Sequence, residues 1–225
     1  MSLWIKICGN TSLEDAMLAS KAGADALGFV FAPGPRRVTP EQVAEFVPRL
    51  PDSIEKIGVF VDATFEEVEG IVRACNLTGI QLQFAAGAEI PSQLRHTFGS
   101  SLRILQTLHF GPGIVAKAAA LALDRNIDAL LVDSRTATAV GGTGIAFDWH
   151  AAASTLFGNP DCPHKLVAAG GLNPENVSEA IAVLKPWGVD VVTGVELAPR
   201  HKDPAKVRAF VALAQTASMV SKRES

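Results

Sequence analysis

"KLVAAGGLNPENV", residues 165–177, holds one complete structural unit. Lys165–Ala169 is a short, apolar run that reads as a buried strand. Gly170 and Gly171 turn the chain. Asn173, placed before Pro174, reads as a helix N-cap with proline at the first helical position. The same order of apolar run, turn and helix start recurs along the chain. The other strand-like runs are Leu3–Cys8, Ala26–Phe31, Lys56–Val61, Gly79–Gln83, Arg103–His109, Ala129–Asp133 and Val189–Thr193. Thr11-Ser12-Leu13-Glu14, Thr39-Pro40-Glu41-Gln42 and Thr64-Phe65-Glu66-Glu67 read as capping boxes, in which a hydroxyl takes a free helix amide and the fourth side chain reaches back. Asp148 and Asp203, the latter before Pro204, read as further N-caps. Ile114–Leu123 is rich in alanine and leucine and favours helix.

Strands that alternate with helices pair in parallel through right-handed crossovers. An open doubly wound sheet meets that requirement. A closed (β/α)8 TIM barrel meets it with no free edge and is the more economical solution. The 225 residues suit such a barrel as a single domain spanning 1–225, with a polar tail, 218–225, expected to fray.

Hydrophobic residues make up 48% of the chain and charged residues 19%, enough for a substantial core. The formal net charge of −3 gives no electrostatic reason to expect nucleic acid or an anionic membrane as partner. Cys8, Cys75 and Cys162 are far apart and odd in number, which suits reduced thiols in the cytoplasm better than a disulfide framework. Neither they nor the five histidines show metal-ligand spacing, so no metal is expected. No signal peptide opens the chain, and no apolar stretch reaches the roughly 18 residues of a membrane span.

A barrel concentrates chemistry at the carboxyl ends of its strands. Cys8 ends the first strand. Alternation puts Lys6 and Cys8 on one face and Ile5 and Ile7 on the other. If the isoleucines meet the helices, Cys8 points into the mouth, where a nearby cation eases its ionisation. Free cysteine is also among the most buried side chains, and position alone favours packing. Asp133 ends the sixth strand, three steps from the first around a ring of eight, so a carboxyl and a thiol face each other and can act as an acid–base pair. Gly170, Gly171 and Gly194 follow strands seven and eight, where barrels recurrently bind phosphate on backbone amides. In "VGGTG", residues 140–144, Gly142 sits in a loop able to close over a ligand; this is neither a dinucleotide fingerprint nor a P-loop. In "FAPGPRR", residues 31–37, Arg36 or Arg37 can offer a fork to a carboxylate.

Together these pieces resemble the phosphoribosylanthranilate isomerases of tryptophan biosynthesis. The resemblance runs from "KICGNTSLEDA" through "ALGFVFAPGPRRVTPEQV", "KIGVFVD", "LLVDS", "GGTGIAFDW" and "AAGGLNPENV" to "DVVTGVE". It implies a cofactor-free barrel, a monomer or homodimer, acting on a small phosphorylated substrate. The implied reaction is an Amadori rearrangement, with Asp133 as general acid and Cys8 as general base. It further implies that Arg36 binds the anthranilate carboxylate and that Gly170, Gly171, Thr193 and Gly194 lie at the phosphate. The chain departs from the family's usual pattern at Gln83-Phe84, at Thr193, where serine is common, at Ile145, and at Arg200-His201. The alternatives are the related phosphosugar isomerase of histidine biosynthesis, which works with two aspartates, and a non-catalytic phosphate-binding barrel.

Overall fold

A computed structural model describes residues 3–84, 89–121, 124–133, 148–160 and 162–221. Eight parallel strands close into a barrel in sequence order: β1 (Trp4–Ile7), β2 (Ala26–Val30), β3 (Glu55–Phe60), β4 (Gly79–Leu82), β5 (Arg103–His109), β6 (Ala129–Asp133), β7 (Lys165–Ala169) and β8 (Gly188–Val191). The closed (β/α)8 architecture is the expected one. Three strands have the bounds read from the sequence. At the others the apolar run outlasts the ladder: Phe31 lies past β2, yet it stays buried and stacks on Phe60 at 5.4 Å between ring centroids.

The helices are α1 (Leu13–Ala22), α2 (Pro40–Phe46), α3 (Phe65–Ala74), α4 (Glu89–Phe98), α5 (Ile114–Leu121), α6 (Trp149–Ala152), α7 (Val177–Leu184) and α8 (Pro204–Ser221). The capping boxes at Thr39 and Thr64 form in full, with Gln42 and Glu67 reaching back to the cap amides. Asp148 and Asp203 also accept helix amides. Two expectations fail by a short displacement. Ser12, not Thr11, caps α1 by accepting from the Asp15 amide at 3.1 Å. Thr11 instead donates to the Arg200 carbonyl, because its hydroxyl faces the chain arriving from β8. Asn173 accepts the amides of Glu175 and Asn176 and so closes a turn; α7 itself begins after Asn176. Helix α8 runs on through Ser221, into the segment read as tail.

Alternation divides the core. Ile5 and Ile7 pack outward with Ala16, Ala19 and Phe210 beneath the helices. Trp4, Ala26, Ile57, Leu105, Ala129, Leu131 and Val167 fill the barrel from inside. The amino-terminal end is plugged by Trp4 stacked on Trp187 at 5.2 Å, with Lys165 over the Trp187 ring and Arg103 paired to Glu55. This plug leaves the opposite end as the open mouth. Beyond β8 a 3₁₀ turn (Thr193–Val195) leads into a small antiparallel hairpin, β9 (Glu196–Ala198) and β10 (His201–Lys202).

Candidate active site

Cys8 follows β1 and, like Lys6, points into the barrel, since its isoleucine neighbours face the helices. It is 4% exposed. Its sulfur occupies the space above Gly28 of β2: a Cβ at residue 28 would collide with Cys8 Sγ and lie 3.0 Å from Cys8 Cα. Lys6 is fully buried below it. Nζ of Lys6 donates to Gln81 Oε1 and to Asp190 Oδ1, both at 2.8 Å, and its charge acts on the Cys8 thiol above it. The thiol is not eased into ionisation as expected. Burial pushes Cys8 above the ordinary thiol range, and the pull of Lys6 does not offset this because Asp190 pushes the other way.

Asp133 closes β6 and is 2% exposed. Ala129 and Leu131 face the interior, so Asp133 does too. Strand β6 is three neighbours from β1 through β7 and β8. Cys8 and Asp133 therefore approach the mouth from opposite walls. His109 of β5 is in register beside Asp133, and its Nδ1 is buried with no hydrogen bond.

Arg36, rather than Arg37, turns toward the mouth. Arg37 is exposed. The Arg36 stem lies on Gly9, where a Cβ would stand 2.8 Å from Arg36 Cδ. Gly9 also has φ of 73°, a conformation that costs glycine nothing. The glycine after Cys8 thus admits both the turn and the arginine. The guanidinium pairs side-on with Glu196, Nε to Oε1 at 2.7 Å and Nη2 to Oε2 at 2.6 Å. Lys202, also buried, donates to Cys8 O at 2.6 Å, to Val192 O at 3.3 Å and to Glu196 Oε1 at 3.4 Å.

Gly170 and Gly171 both have positive φ, 81° and 69°. Asn176 fastens the turn from below, donating to Gly171 O at 3.0 Å. Gly194 presses on the same loop: a Cβ there would collide with Leu172 O. Loops seven and eight thus meet backbone to backbone. Among the described residues, no bond takes the amides of Gly170, Gly171, Thr193 or Gly194. Thr193 is exposed at the rim. Gly142 and Ile145 lie outside the described residues. Among the described residues, no group of His, Cys, Asp and Glu side chains could hold a metal ion, and no helix is long and apolar enough to cross a membrane.

A family profile described as N-(5'phosphoribosyl)anthranilate (PRA) isomerase matches residues 5–213. The chain belongs to the phosphoribosylanthranilate isomerase family. It is 42% identical over 213 residues to the N-(5'-phosphoribosyl)anthranilate isomerase of Desulforudis audaxviator, covering 95% of this chain and 98% of that one. It is 43% identical over 220 residues to the enzyme of the same name from Magnetococcus marinus, covering 96% and 97%. The solved phosphoribosyl anthranilate isomerase of Thermotoga maritima matches with a TM-score of 0.84 at 32% identity, over 95% of this chain and 99% of that one. A structure of a phosphoribosyl anthranilate isomerase complexed with reduced 1-(o-carboxyphenylamino)-1-deoxyribulose 5-phosphate matches at 0.81 and 30%, with the same coverage.

Within this isomerase fold, several site residues escaped the reading of the sequence. Asp190 sits on the inner face of β8 in register with Lys6, and the alternation of "GVDV" contains that signal. Gln81, two residues before the departure at Gln83-Phe84, bridges Lys6 and Thr107 across the barrel. Glu196 closes the "TGVE" that follows strand eight, but its pairing with Arg36 was not read; Lys202 carries no local signal, because a hairpin alone returns it to Cys8. The departure at Arg200-His201 belongs to that hairpin: Arg200 takes φ of 76° at its tip, which brings Lys202 inward.

Proposed function

We propose that this phosphoribosylanthranilate isomerase performs its Amadori rearrangement with Asp133 as general acid and Cys8 as general base. The observation that carries the assignment is that both side chains enter one mouth from opposite walls at the carboxyl ends of β1 and β6. Asp133 gives its proton to the ribose ring oxygen as the C1′–O bond breaks, and the nitrogen lone pair forms an iminium. The cationic nitrogen acidifies the C2′ proton. Cys8, in the thiolate form that burial makes the minority one, takes that proton; the C–H pair becomes the C1′=C2′ bond of an enolamine as the iminium π pair returns to nitrogen. Protonation at C1′, with loss of the 2′-hydroxyl proton, then yields the 2′-ketone. Each assisted proton transfer is worth ~10²–10⁴-fold.

The bound product analogue of the related structure is a reduced ketose that carries a carboxylate and a phosphate. Its two charged ends suit the two charged features of this mouth. Arg36 takes the anthranilate carboxylate, and the amides of Gly170, Gly171, Thr193 and Gly194 take the phosphate. No cofactor enters this scheme. The enzyme works in the cytoplasm as a monomer or homodimer; a related Thermotoga maritima enzyme is described as dimeric, with monomers generated from it. Sedimentation of the purified chain distinguishes the two.

The test is turnover of phosphoribosylanthranilate, followed by loss of its fluorescence. Cys8→Ala and Asp133→Asn each abolish turnover while circular dichroism and inhibition-derived phosphate affinity stay near wild type. A near wild-type rate in either variant removes that residue from its role.

A further inference from the structure

Glu196 is neither part of the acid–base pair nor of the phosphate loops, yet it holds Arg36. Its side chain is 4% exposed against 18% for Arg36. A guanidinium carries five N–H groups in a planar fork and no acceptor. The side-on pair with Glu196 consumes Nε–H and one hydrogen of Nη2. The other Nη2 hydrogen and the Nη1 pair form a second edge that also matches a carboxylate in bidentate fashion. Among the described residues, no acceptor takes that edge.

Glu196 is itself anchored. Lys202 spends its three hydrogens on Glu196, Val192 O and Cys8 O, so the same ammonium grips the carboxylate behind Arg36 and the backbone of the proposed base. One anion and two cations leave this buried group with a single positive charge, which an arriving carboxylate neutralises. The Arg36 stem is seated on Gly9 while its head is paired with Glu196.

We propose that Glu196 is a positioning residue for substrate selectivity: it presents the Nη1–Nη2 edge of Arg36 to the anthranilate carboxylate, with Lys202 fixing that edge relative to Cys8. The proposal rests on the reading of Arg36 as the carboxylate site. Lysine could not replace arginine here, since a point charge has no second edge to offer.

The experiment compares kcat/KM for phosphoribosylanthranilate with that for N-(5-phosphoribosyl)aniline, which lacks the carboxylate. Arg36→Ala brings the ratio of the two close to one. Glu196→Gln, which keeps the shape but loses one of the paired acceptors, lowers the ratio by about tenfold or more. The loss falls mainly on KM for phosphoribosylanthranilate. Glu196→Asp retains the charge beside Lys202 but withdraws it from Arg36; it preserves folding and lowers the ratio in the same direction. In an Arg36→Ala background, Glu196→Gln has no further effect on the ratio. Wild-type selectivity in both Glu196 variants, with the ratio collapsed in Arg36→Ala, overturns the proposal and leaves the role of Arg36 standing. Wild-type selectivity in Arg36→Ala overturns both.

Discussion

Nζ of Lys6 lies 2.8 Å from Oδ1 of Asp190, inside the barrel and directly beneath Cys8. The two residues are in register on β1 and β8. Removing one member of such a pair strands the other charge, which typically costs about 3–5 kcal/mol. Replacing both with apolar residues of similar size is often neutral. Lys6→Met alone is therefore expected to lower the melting temperature sharply, and Lys6→Met with Asp190→Leu to recover most of the loss. Activity behaves differently, because the thiolate loses its nearest cation in both variants. kcat is expected to fall by about tenfold or more in the double variant even where stability returns. A stable double variant with wild-type kcat would make the pair structural only.

Cys8 itself gives the second prediction. Its thiol is held above the ordinary range chiefly by burial. Alkylation needs the thiolate, so its rate climbs about tenfold per pH unit below the pKa and levels off above it. With Cys75 and Cys162 changed to serine, iodoacetamide labelling of Cys8 is expected still to be climbing at pH 9. Labelling that levels off below pH 8 contradicts a buried thiol with its cation already matched by Asp190. Adding Lys6→Met moves the midpoint further up, since the stronger of the two lowering cations is then gone and only Lys202 still opposes burial.

Gly28 tests the placement of the sulfur. A methyl at residue 28 cannot coexist with Cys8 Sγ where it stands. Gly28→Ala is expected to displace the thiol by about 1 Å, a misplacement that can cost about 10²-fold in kcat. KM changes little, because neither the carboxylate nor the phosphate contact is touched. The overpacking costs about 1–3 kcal/mol, which a melting curve detects. An unchanged kcat means that the position of the sulfur does not limit the reaction.

How far these features could be read from the sequence depended on whether their physics was local. The strand and cap patterns act over a few residues, so the boxes at Thr39 and Thr64 formed as written, and Asp148 and Asp203 cap as expected. The inward aim of Cys8 and Asp133 followed from two-residue alternation plus ring closure. The thiol's ionisation did not follow, because the cation at Lys6 was visible in "KICG" while its counter-ion Asp190 arrives 184 residues later. Local pattern alone did not separate Arg36 from Arg37; the family resemblance pointed to Arg36, and Gly9 and Glu196 are what hold it at the mouth. The pairing of Glu196 and the role of Lys202 stayed hidden for the same reason, since only the closed barrel and its final hairpin bring them to Arg36 and Cys8.

The meeting of loops seven and eight gives the last prediction. Gly194 approaches Leu172 O so closely that no side chain fits, and this contact holds the amides of one loop beside those of the other. Gly194→Ala is expected to push the 3₁₀ turn away from Gly170 and Gly171. Phosphate is bound in the ground state and the transition state alike, so the loss should appear as uniform binding: a higher KM with kcat little changed. Inorganic phosphate, as a competitive inhibitor, should weaken by about the same factor, on the order of tenfold for one or two lost charge-assisted bonds. The two numbers must move together. If KM rises while the inhibition constant of phosphate stays fixed, the turn acts on another part of the substrate, and the amides at Gly194 are not where its phosphate sits.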